Sequence, residues 1–419
     1  MHLLKELPEL VQAGVIPQDT ADKIQLYYRT KAGKPQNRLL LVSGILGALL
    51  IGLGIILIIA HNWDDLSRSV KTVLVFLPLL IGQLAGGYTL LKKQKNSGWR
   101  ESSATFLFLS VGATIALVSQ VYHIPGNLST FLFTWMLLCL PLVYLLKSNF
   151  ASLLFLAGIT WYAVEGGYGK QDYTYWWLLL LILPHYFLLC KSRPESNFTS
   201  FHHWLVPLSL LVGLGTVASQ TEELLLICYM SLLGVFILVG YSKFFKSSRF
   251  SSNGYLILGY LGSAGILITM SFKLLWENIS RAELNILSPE MLAACFISGV
   301  GITLLVVKWQ KQQVISLLEF VFLFFILLFA LAHLSALAAT IFTNLLVLII
   351  GLTVVRAGAR RNNLGLLNAG LLFITALIVA RFFDTNMSFV LRGILFVLVG
   401  LGFFLANFYM LKKRTTHEA

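Results

Sequence analysis

The sequence predicts an all-α fold, a polytopic bundle of transmembrane helices. Of its 419 residues, 57% are hydrophobic and 12% are charged, and the mean hydropathy is +0.81. Soluble domains have about 45–50% apolar and about 25% charged residues, so a soluble core does not account for this composition. The apolar residues also come in blocks of roughly 20, the length of α-helix that spans the hydrocarbon core of a bilayer.

The apolar blocks predict about fourteen spanning helices, separated by short polar stretches. The fifth and seventh blocks are short, and a re-entrant segment stays open as an alternative for each of them. The predicted spans are Leu39–Ala60, Val70–Leu91, Ser102–Val121, Ser129–Leu146, Asn149–Glu165, Thr174–Cys190, His203–Ser219, Glu223–Ser242, Ser252–Phe272, Pro289–Val307, Val314–His333, Ser335–Val355, Leu364–Phe383 and Met387–Met410.

The positions of Lys and Arg predict the orientation of the bundle. If successive loops alternate between the two sides, 24 of the 31 basic residues fall on the side that also holds both termini. Because cytoplasmic loops keep an excess of Lys and Arg, we expect both termini in the cytoplasm. The net charge of +13 then follows from topology and favours anionic lipid headgroups, and the basic residues form no stripe that would bind nucleic acid.

The largest polar segment, residues 1–38, predicts a cytoplasmic helical hairpin. Leu3, Leu7 and Leu10 recur at helical spacing, and Gly14 to Pro17 form a turn before a second helix that Asp19 can cap. Two interpretations stay open, a hairpin that packs on the bundle or the membrane surface, and a docking site for another protein.

Three regions follow from these patterns. They are the hairpin (1–38), the bundle (39–410) and a basic cytoplasmic tail (411–419). The first apolar block, Leu39–Ala60, is too long for a cleavable signal peptide and lacks a small-residue cleavage site, so we expect it to be retained as a signal anchor.

Several motifs in roughly the first 150 residues are similar to those of a known family. They are the Gly14-Val15-Ile16 turn, the glycines 44, 47, 52 and 54 of the first span, the pair Asn62-Trp63, and the stretch Ser119-Gln120-Val121-Tyr122-His123-Ile124. With them the chain resembles the domain-of-unknown-function 2157 family of predicted bacterial membrane proteins. The resemblance implies a multi-helix protein of the bacterial inner membrane, and it brings no known substrate, cofactor or catalytic residue.

A polar group just past the first span is a candidate site. It consists of His61, Asn62, Trp63, Asp64 and Asp65. Trp is typical of the membrane interface, where its ring is apolar and its N–H is wet. The imidazole, amide and carboxylates can bind a cation, accept a proton or hold neighbouring loops together, so an interface cap and an ion site both stay open.

Gln120, Tyr122 and His123 end the third span on the same predicted side as this group. Gln120 interrupts an apolar helix and needs a polar partner, and His123 can add an imidazole to the outward cluster. We therefore include these three residues in the candidate polar site.

Near the C-terminus, Arg381, Asp384 and Arg392 form a second candidate site. Arg392 lies about five residues inside the last apolar block, where a lone cation costs about 2.5–3.5 kcal/mol on insertion scales. Asp384 is the partner nearest in sequence. A structural ion pair and a role in anion binding or proton relay both stay open.

Glu319 is the carboxylate that lies deepest in a predicted span. It stands about six residues into that span, roughly 9 Å at 1.5 Å per residue. A lone carboxylate at that depth is neutral or paired, so proton or cation handling and structural pairing are both open. Other polar residues that interrupt apolar spans, each of which needs a polar partner or a water-filled cavity, are Gln83, Gln120, Asn344, Asn368, His185 and His333. For the amides, hydrogen bonding between helices is the simpler interpretation.

Signals for enzymes, metals and cofactors are absent from the sequence. The four cysteines lie in predicted spans without CxxC or CxxH spacing, and HExxH, GxSxG and GxxxxGK[ST] do not occur. We therefore predict no cofactor, no metal and no catalytic residue, and an enzyme would have to place its site within or at the edge of the bundle.

Three functional hypotheses remain. The leading one is a transporter-like protein for an ion or small solute, with proton coupling as an option, and it predicts a water-accessible cavity that reaches Glu319 or Arg392. The alternative is a membrane scaffold or envelope-complex subunit, which predicts a closed bundle. A membrane-embedded enzyme is the third. Expected partners are the lipid bilayer and either a second copy of the chain or another membrane protein.

Overall fold

The computed structural model describes most of the chain, and mainly as α-helix. The described residues are 3–31, 63–170, 172–219, 222–242, 245, 250–282, 284–313, 315–384 and 388–418, and no strand occurs among them. The predicted first span, Leu39–Ala60, and the predicted site residues His61 and Asn62 lie outside this part of the chain. The chain divides into two compact units, Met1–Val73 and Leu74–Ala419.

The first unit begins with two helices, α1 (Leu3–Gln12) and α2 (Gln18–Lys31). Gly14, between them, has a φ of 69°, a left-handed conformation that glycine adopts without the steric cost of a Cβ. The N–H of Val15 donates to the carbonyl of Leu10 at 3.0 Å and so satisfies an acceptor at the end of α1. Two helices and a glycine turn thus occupy the segment where the sequence predicts a hairpin.

The remaining helices are joined by short turns. A π-turn, Ala163–Gly167, extends one of them, and 3-10 turns lie at Gly215–Val217, Glu222–Leu224, Phe250–Ser252 and Leu317–Phe320. The helices are α3 (Arg68–Lys92), α4 (Ser97–Tyr122), α5 (Leu128–Leu145), α6 (Asn149–Tyr162), α7 (Thr174–Ser192), α8 (Asn197–Leu214), α9 (Leu225–Gly240), α10 (Gly254–Thr269), α11 (Lys273–Arg281), α12 (Pro289–Gln310), α13 (Val321–Ala332), α14 (Ala336–Arg360), α15 (Leu364–Asp384) and α16 (Phe389–Glu418).

Ten helices in the described ranges are long and apolar enough to cross a membrane. They are Arg68–Lys92, Ser97–Tyr122, Leu128–Leu145, Asn149–Gly167, Thr174–Ser192, Asn197–Val217, Pro289–Gln310, Ala336–Arg360, Leu364–Phe382 and Val390–Phe408. Helices α10 and α11 form an eleventh candidate if they are taken as one span, but they are bent by 86° at their junction. The predicted count of about fourteen is therefore not reached among the described residues.

Two predicted spans are shorter in the structure than in the sequence pattern. The block predicted at Glu223–Ser242 forms the helix Leu225–Gly240, and the block predicted at Val314–His333 forms the apolar segment Leu317–Ala332. At 1.5 Å per residue each rises about 24 Å, which is less than the hydrocarbon core of about 30 Å. In the second case, 3-10 geometry replaces the first α-helical turn.

The fifth and seventh predicted spans, which are short in the sequence pattern, both form helices long enough to cross a membrane. The fifth extends to Gly167 through the π-turn. The seventh starts at Asn197, six residues before the predicted start, because the Ser196 hydroxyl caps it by accepting from the N–H of Thr199 at 3.1 Å. This earlier start places two histidines inside α8.

Hydrogen bonds between helices show which helix ends lie together in the second unit. Glu101, near the start of α4, accepts from Asn149 at the start of α6, and Ser152 in α6 contacts His202 near the start of α8. Trp204 in α8 donates to the carbonyl of Ser251, just before α10. The starts of α4, α6, α8 and α10 thus share one end, called the basic end below. It is flanked by Lys92, Lys93, Lys95, Arg100, Lys147, Lys191 and Arg193.

The core of the second unit extends from α4 to α15, and the outer surface of the unit is apolar. Of the span Asn149–Gly167, 56% is buried inside the protein, whereas none of the span Val390–Phe408 is. Outward-facing side chains include Leu84, Trp177 and Leu261, which are 75%, 69% and 69% exposed. A water-soluble protein rarely exposes so much contiguous apolar surface, and a bilayer covers it.

Candidate functional site

Six buried polar residues meet at the basic end of the second unit. They come from four helices and are each at most 8% exposed. We call them the histidine cluster: Ser152 from α6, His185 and Tyr186 from α7, His202 and His203 from α8, and Tyr255 from α10. Polar groups buried among spanning helices are costly unless they are hydrogen-bonded, and they commonly mark functional positions.

His202 is held by hydrogen bonds at both ring nitrogens. Its Nδ1 lies 2.7 Å from the carbonyl oxygen of Phe198, and its Nε2 lies 2.7 Å from Oγ of Ser152. A carbonyl only accepts, so we assign the proton of the neutral ring to Nδ1. Nε2 then accepts from the Ser152 hydroxyl and is the nitrogen that can take up a second proton.

His203 starts a hydrogen-bonded chain that leads to α10. Its Nδ1 lies 2.7 Å from the hydroxyl of Tyr186, which lies 3.4 Å from the hydroxyl of Tyr255. Each phenol both donates and accepts, so the chain can be polarised in either direction. The Tyr186 ring also stacks on the His202 ring at 5.9 Å, and this contact joins the two histidine environments.

His185 brings a third imidazole to the cluster. Its ring centroid lies 6.4 Å from that of His202 and 6.2 Å from that of Tyr144, which it meets edge-on. Among the described residues, Nε2 of His185 is buried without a hydrogen-bond partner. A buried polar atom without a partner costs about 1–3 kcal/mol.

Glu101 stands beside this cluster, partly exposed, and covers the start of α6. Its carboxylate accepts from Oγ of Ser148 at 2.6 Å, from N and Nδ2 of Asn149 at 3.0 and 3.1 Å, and from N of Phe150 at 3.0 Å. The N–H groups at a helix N-terminus are favourable hydrogen-bond donors to a carboxylate. Its negative charge acts on both His185 and His202.

A second group of hydrogen bonds joins the same helices farther from the basic end. Thr160 in α6 donates to Oγ of Ser209 in α8 at 2.6 Å, and the Tyr175 hydroxyl of α7 lies 2.8 Å from that same oxygen. Tyr175 also donates to the carbonyl of Ser209 at 2.7 Å. We call Thr160, Tyr175 and Ser209 the hydroxyl cluster. All three can both donate and accept.

Asp172 lies outside the spans, in the loop at the opposite end. It accepts from the Tyr162 hydroxyl and from the N–H of Thr174, the latter at 2.9 Å. Partial burial acts to raise the pKa of the Asp172 carboxyl. The hydrogen bonds from Thr174 and Tyr162 and the charge of Lys170 outweigh burial, and the pKa lies below its usual value. Asp172 is therefore a charged acceptor near neutral pH.

The predicted outward cluster can be described only in part. In the first unit, Trp63 is partly buried and the Nζ of Lys71 lies 5.7 Å from its ring centroid, while Asp64 and Asp65 are exposed. A cation at this distance over a Trp ring is an attractive contact. Among the described residues, no group of three or more His, Cys, Asp or Glu side chains is placed to hold a metal ion.

Gln120, Tyr122 and His123 are all exposed at the end of α4. His123 has a φ of 50° and caps the helix, its N–H donating to the carbonyl of Ser119. The Ser119 hydroxyl donates to the carbonyl of Ile124 at 2.7 Å. The stretch thus forms a helix C-cap, and its exposed side chains do not converge on a pocket.

Glu319 lies in the first turn of its segment, nearer to the helix end than the sequence predicts. It forms an ion pair with Lys308 from the end of α12, and its other oxygen accepts from N and Oγ of Ser316 at 3.1 Å each. This capping box starts the turn at Leu317, which explains the shift. The Lys308 ammonium also lies 5.0 Å from the ring centroid of Tyr241.

Arg381 lies at the end of α15, next to the bend between α10 and α11. Its Nη2 donates to the carbonyl and to Oγ of Ser271, at 2.6 and 3.1 Å. Asn344 donates to the same carbonyl at 3.0 Å, and Trp276 donates to the carbonyl of Met270 at 2.6 Å. These bonds satisfy the end of α10, where a cation is favoured by the helix dipole.

The other two predicted partners of Arg381 lie at helix ends. Asp384 is the last residue of α15, and Arg392 lies in the first turn of α16, its N–H donating to the carbonyl of Ser388 at 3.1 Å. Glu319 is at the basic end, whereas Arg381 follows α10 to the opposite end. Glu319 and Arg381 are therefore at opposite ends of the second unit.

Two grooves on the described surface are lined by apolar side chains. One, of about 310 Å³, lies between α13 and α14, and the other, of about 360 Å³, lies among α7, α8, α9 and α12. Neither includes Glu319 or Arg392 among its lining residues. An apolar groove facing a bilayer takes up acyl chains more readily than water.

The histidine cluster was not predicted as a site. The sequence pattern marked His185 as a polar residue in a span, but it placed His202 in a loop and did not single out Glu101. The signal that locates His202 inside a helix is Ser196, a cap residue six positions before it.

Comparison with known proteins bears on the part of the chain that holds Glu101 and Ser152. Residues 8–152 match the family model described as "Predicted membrane protein (DUF2157)". This segment is similar to the DUF2157 family. No curated protein and no solved structure matches the chain. Within the DUF2157 segment lie Glu101, Ser148, Asn149 and Ser152, whereas the three histidines lie beyond it. The histidine cluster thus joins the DUF2157 segment to the rest of the second unit.

Proposed function

We propose that this protein is a transporter-like membrane protein that handles protons and that the histidine cluster is its proton-binding site. The observation that carries the proposal is the hydrogen bond between Ser152 and His202, because it presents an unprotonated Nε2 inside a helix of spanning length. Histidine is the side chain whose ordinary pKa lies closest to neutral pH. Ionisable groups of this kind inside spanning helices serve proton relays in pumps and transporters.

We also propose a bacterial inner-membrane location with about fourteen spans and both termini in the cytoplasm. In support of the orientation, the basic end gathers loops with many of the Lys and Arg residues, and cytoplasmic loops are enriched in them. The count of spans would include Leu39–Ala60 and the shorter helices at Leu225–Gly240 and Leu317–Ala332. The histidine cluster would then open toward the cytoplasm.

A liposome assay tests the proton-handling role. The full chain is reconstituted with a pH-sensitive dye inside, and a potassium diffusion potential, negative inside, is imposed. We expect slow proton uptake above that of protein-free liposomes, at the pace of a conformational cycle. His202→Gln should remove this uptake, and His333→Gln, a histidine at the end of α13, should keep it. Uptake equal to that of protein-free liposomes, or unchanged uptake in His202→Gln, would overturn the proposal.

A membrane scaffold is the second candidate, and the Lys308–Glu319 pair favours it. The carboxylate that a transporter would need free is held by a lysine and by Ser316, and the grooves are apolar. The test is a single cysteine at residue 319 in a chain without its natural cysteines, exposed to a membrane-impermeant thiol reagent. A scaffold predicts no labelling there and full labelling of a cysteine at the exposed position 313. Labelling of residue 319 from the aqueous phase would count against a closed bundle.

A further inference from the structure

Buried polar side chains recur along α8 at intervals of seven residues. His202, Ser209 and Thr216 are each 0% exposed, the last in the 3-10 turn that follows the helix. Seven residues make almost two helical turns, so such side chains lie on one face and are about 10 Å apart. One face of α8 therefore carries polar groups from near the basic end to the opposite end of the unit.

Each of these residues has a hydrogen-bond partner on α6 or α7. His202 pairs with Ser152, and Ser209 belongs to the hydroxyl cluster. Thr216 accepts from Nε1 of Trp176 in α7 at 3.1 Å. Beyond the hydroxyl cluster, Tyr162 at the end of α6 donates to Asp172. Polar groups thus line the junction of the three helices, with a carboxylate beside each end, Glu101 and Asp172.

Between the histidine cluster and the hydroxyl cluster, one level of this junction is filled by apolar side chains. On all three helices the residues between the histidine cluster and the hydroxyl cluster are apolar except Trp176, Trp177 and Trp204. The indole N–H groups of Trp176 and Trp204 donate to Thr216 and Ser251. Phe155, Leu156, Ile182 and Val206 fill this level and are each at most 2% exposed. We call these four residues the apolar layer. The step from His202 to Ser209 is about 10 Å, too long for a direct proton transfer between the two.

We infer that the junction of α6, α7 and α8 is a proton path and that the apolar layer is its gate. This inference rests on the proposed proton-handling role and adds a route and a point of closure to it. On the basic side a proton binds at Nε2 of His202. On the far side the proton moves through the hydroxyl cluster in the direction of Asp172. Each of Ser209, Thr160 and Tyr175 accepts a proton at its hydroxyl oxygen and donates its own proton to the next group. No covalent bond between heavy atoms forms or breaks, and the path conducts only when the apolar layer is hydrated.

The geometry around Leu156 makes the gate testable. Leu156 is four residues from both Ser152 and Thr160 on α6, so the three side chains lie on one face. Its carbonyl oxygen lies 2.6 Å from Oγ1 of Thr160, the hydroxyl that also contacts Ser209. A polar side chain at this position would stand between the two clusters and shorten the gap to distances that a single water can bridge.

The experiment compares variants of the full chain in the same liposomes. Leu156→Asn should raise passive proton conductance on the order of tenfold over the unmodified protein, because it places a polar group in the apolar layer. Leu180→Asn, a matched change at a side chain that is 54% exposed on α7, should leave it unchanged. Adding His202→Gln to Leu156→Asn should lower conductance to that of His202→Gln alone.

A second, milder variant tests the gate if Leu156→Asn fails to fold. Val206→Thr is a smaller change in shape than Leu156→Asn and adds a hydroxyl four residues from His202 and three from Ser209 on α8. If it folds, as judged by size-exclusion chromatography and thermal unfolding, and conducts no more than Leu180→Asn, the gate is refuted. If the unmodified protein shows no voltage-driven uptake while both layer variants conduct through His202, the proposed function fails and the path stands. If the unmodified protein shows voltage-driven uptake that depends on His202 but neither layer variant raises conductance, the path is refuted and the proposed function stands.

Discussion

Lys308 and Glu319 form an ion pair that ties the end of α12 to the first turn of the segment 317–332. The two side chains are 12% and 2% exposed, so the pair is largely shielded from water. Ser316 adds two hydrogen bonds to the carboxylate. A buried pair of this kind contributes little beyond an apolar replacement, but the loss of one partner leaves an uncompensated charge.

We therefore expect Lys308→Met to lower the free energy of unfolding by about 3–5 kcal/mol, because the Glu319 carboxylate would lose its counter-ion. The double change Lys308→Met with Glu319→Gln should recover much of the loss. Denaturant unfolding of the purified protein in detergent measures the effect. The exposed Lys311→Met serves as the control. Equal stability of Lys308→Met and this control would contradict a stabilising role for the pair.

Arg381→Gln should loosen the bend between α10 and α11. The guanidinium donates two hydrogen bonds to Ser271, and bonds to charged groups contribute about 1.5–3 kcal/mol each in net terms. Hydrogen exchange should become faster in residues 270–281 and stay unchanged in α6. Arg360→Gln, at the exposed end of α14, is the control. Unaltered exchange at the bend would show that Asn344 and Trp276 hold it without Arg381.

Asp172 predicts a dependence of stability on pH. Its pKa in the folded protein lies below the usual value, so its hydrogen bonds stabilise the folded state above the usual pKa of about 3.9 and are lost as the pH falls through the folded pKa. The thermal midpoint should fall less steeply with acidification in Asp172→Asn than in the unmodified protein, and should be lower at pH 7. Asp64→Asn, an exposed carboxylate, should change neither. A parallel pH profile in Asp172→Asn would contradict the assignment.

The close contact of α14 with α15 depends on glycine. A Cβ on Gly370 would stand 2.7 Å from the backbone nitrogen of Val355, a distance that forces the helices apart. Gly370→Ala should therefore destabilise the protein by about 1–3 kcal/mol, the usual cost of overpacking. Gly265→Ala is the matched control, since nothing lies within 4 Å of the added carbon on α10. A loss of stability in the control alone would argue against close packing as the cause.

The sequence was sufficient to predict an all-helical membrane protein and several helix starts. Asn149, Thr174 and Pro289 begin helices as predicted, and two of these starts follow a serine cap, a local signal. The predicted start of α8 was wrong, because the polar residues 197–202 were taken for a loop. His202 and His203 are polar, but their partners Ser152 and Tyr186 lie inside the protein.

The candidate site was harder to predict because its contacts are distant in sequence. Glu101 meets Asn149 across 48 positions, and Ser152 meets His202 across 50. No spacing rule connects such pairs, whereas the Lys308–Glu319 pair spans a single turn between helices. Among the amides, the expected bonds between helices occur at Asn344, which donates to Ser271, and at Asn368, which accepts from Asn407.

His202 and Ser209 face their partners at the same time only because seven positions separate them along α8. The histidine cluster and the hydroxyl cluster therefore both depend on the number of residues in this helix. Deleting a single residue between His202 and Ser209 would turn Ser209 by about 100° away from α6 and shift it about 1.5 Å along the axis. Thr160 and Tyr175 would lose their common partner while Ser152 kept its own. The chain can thus accept replacements on this helix far more readily than a change in its length.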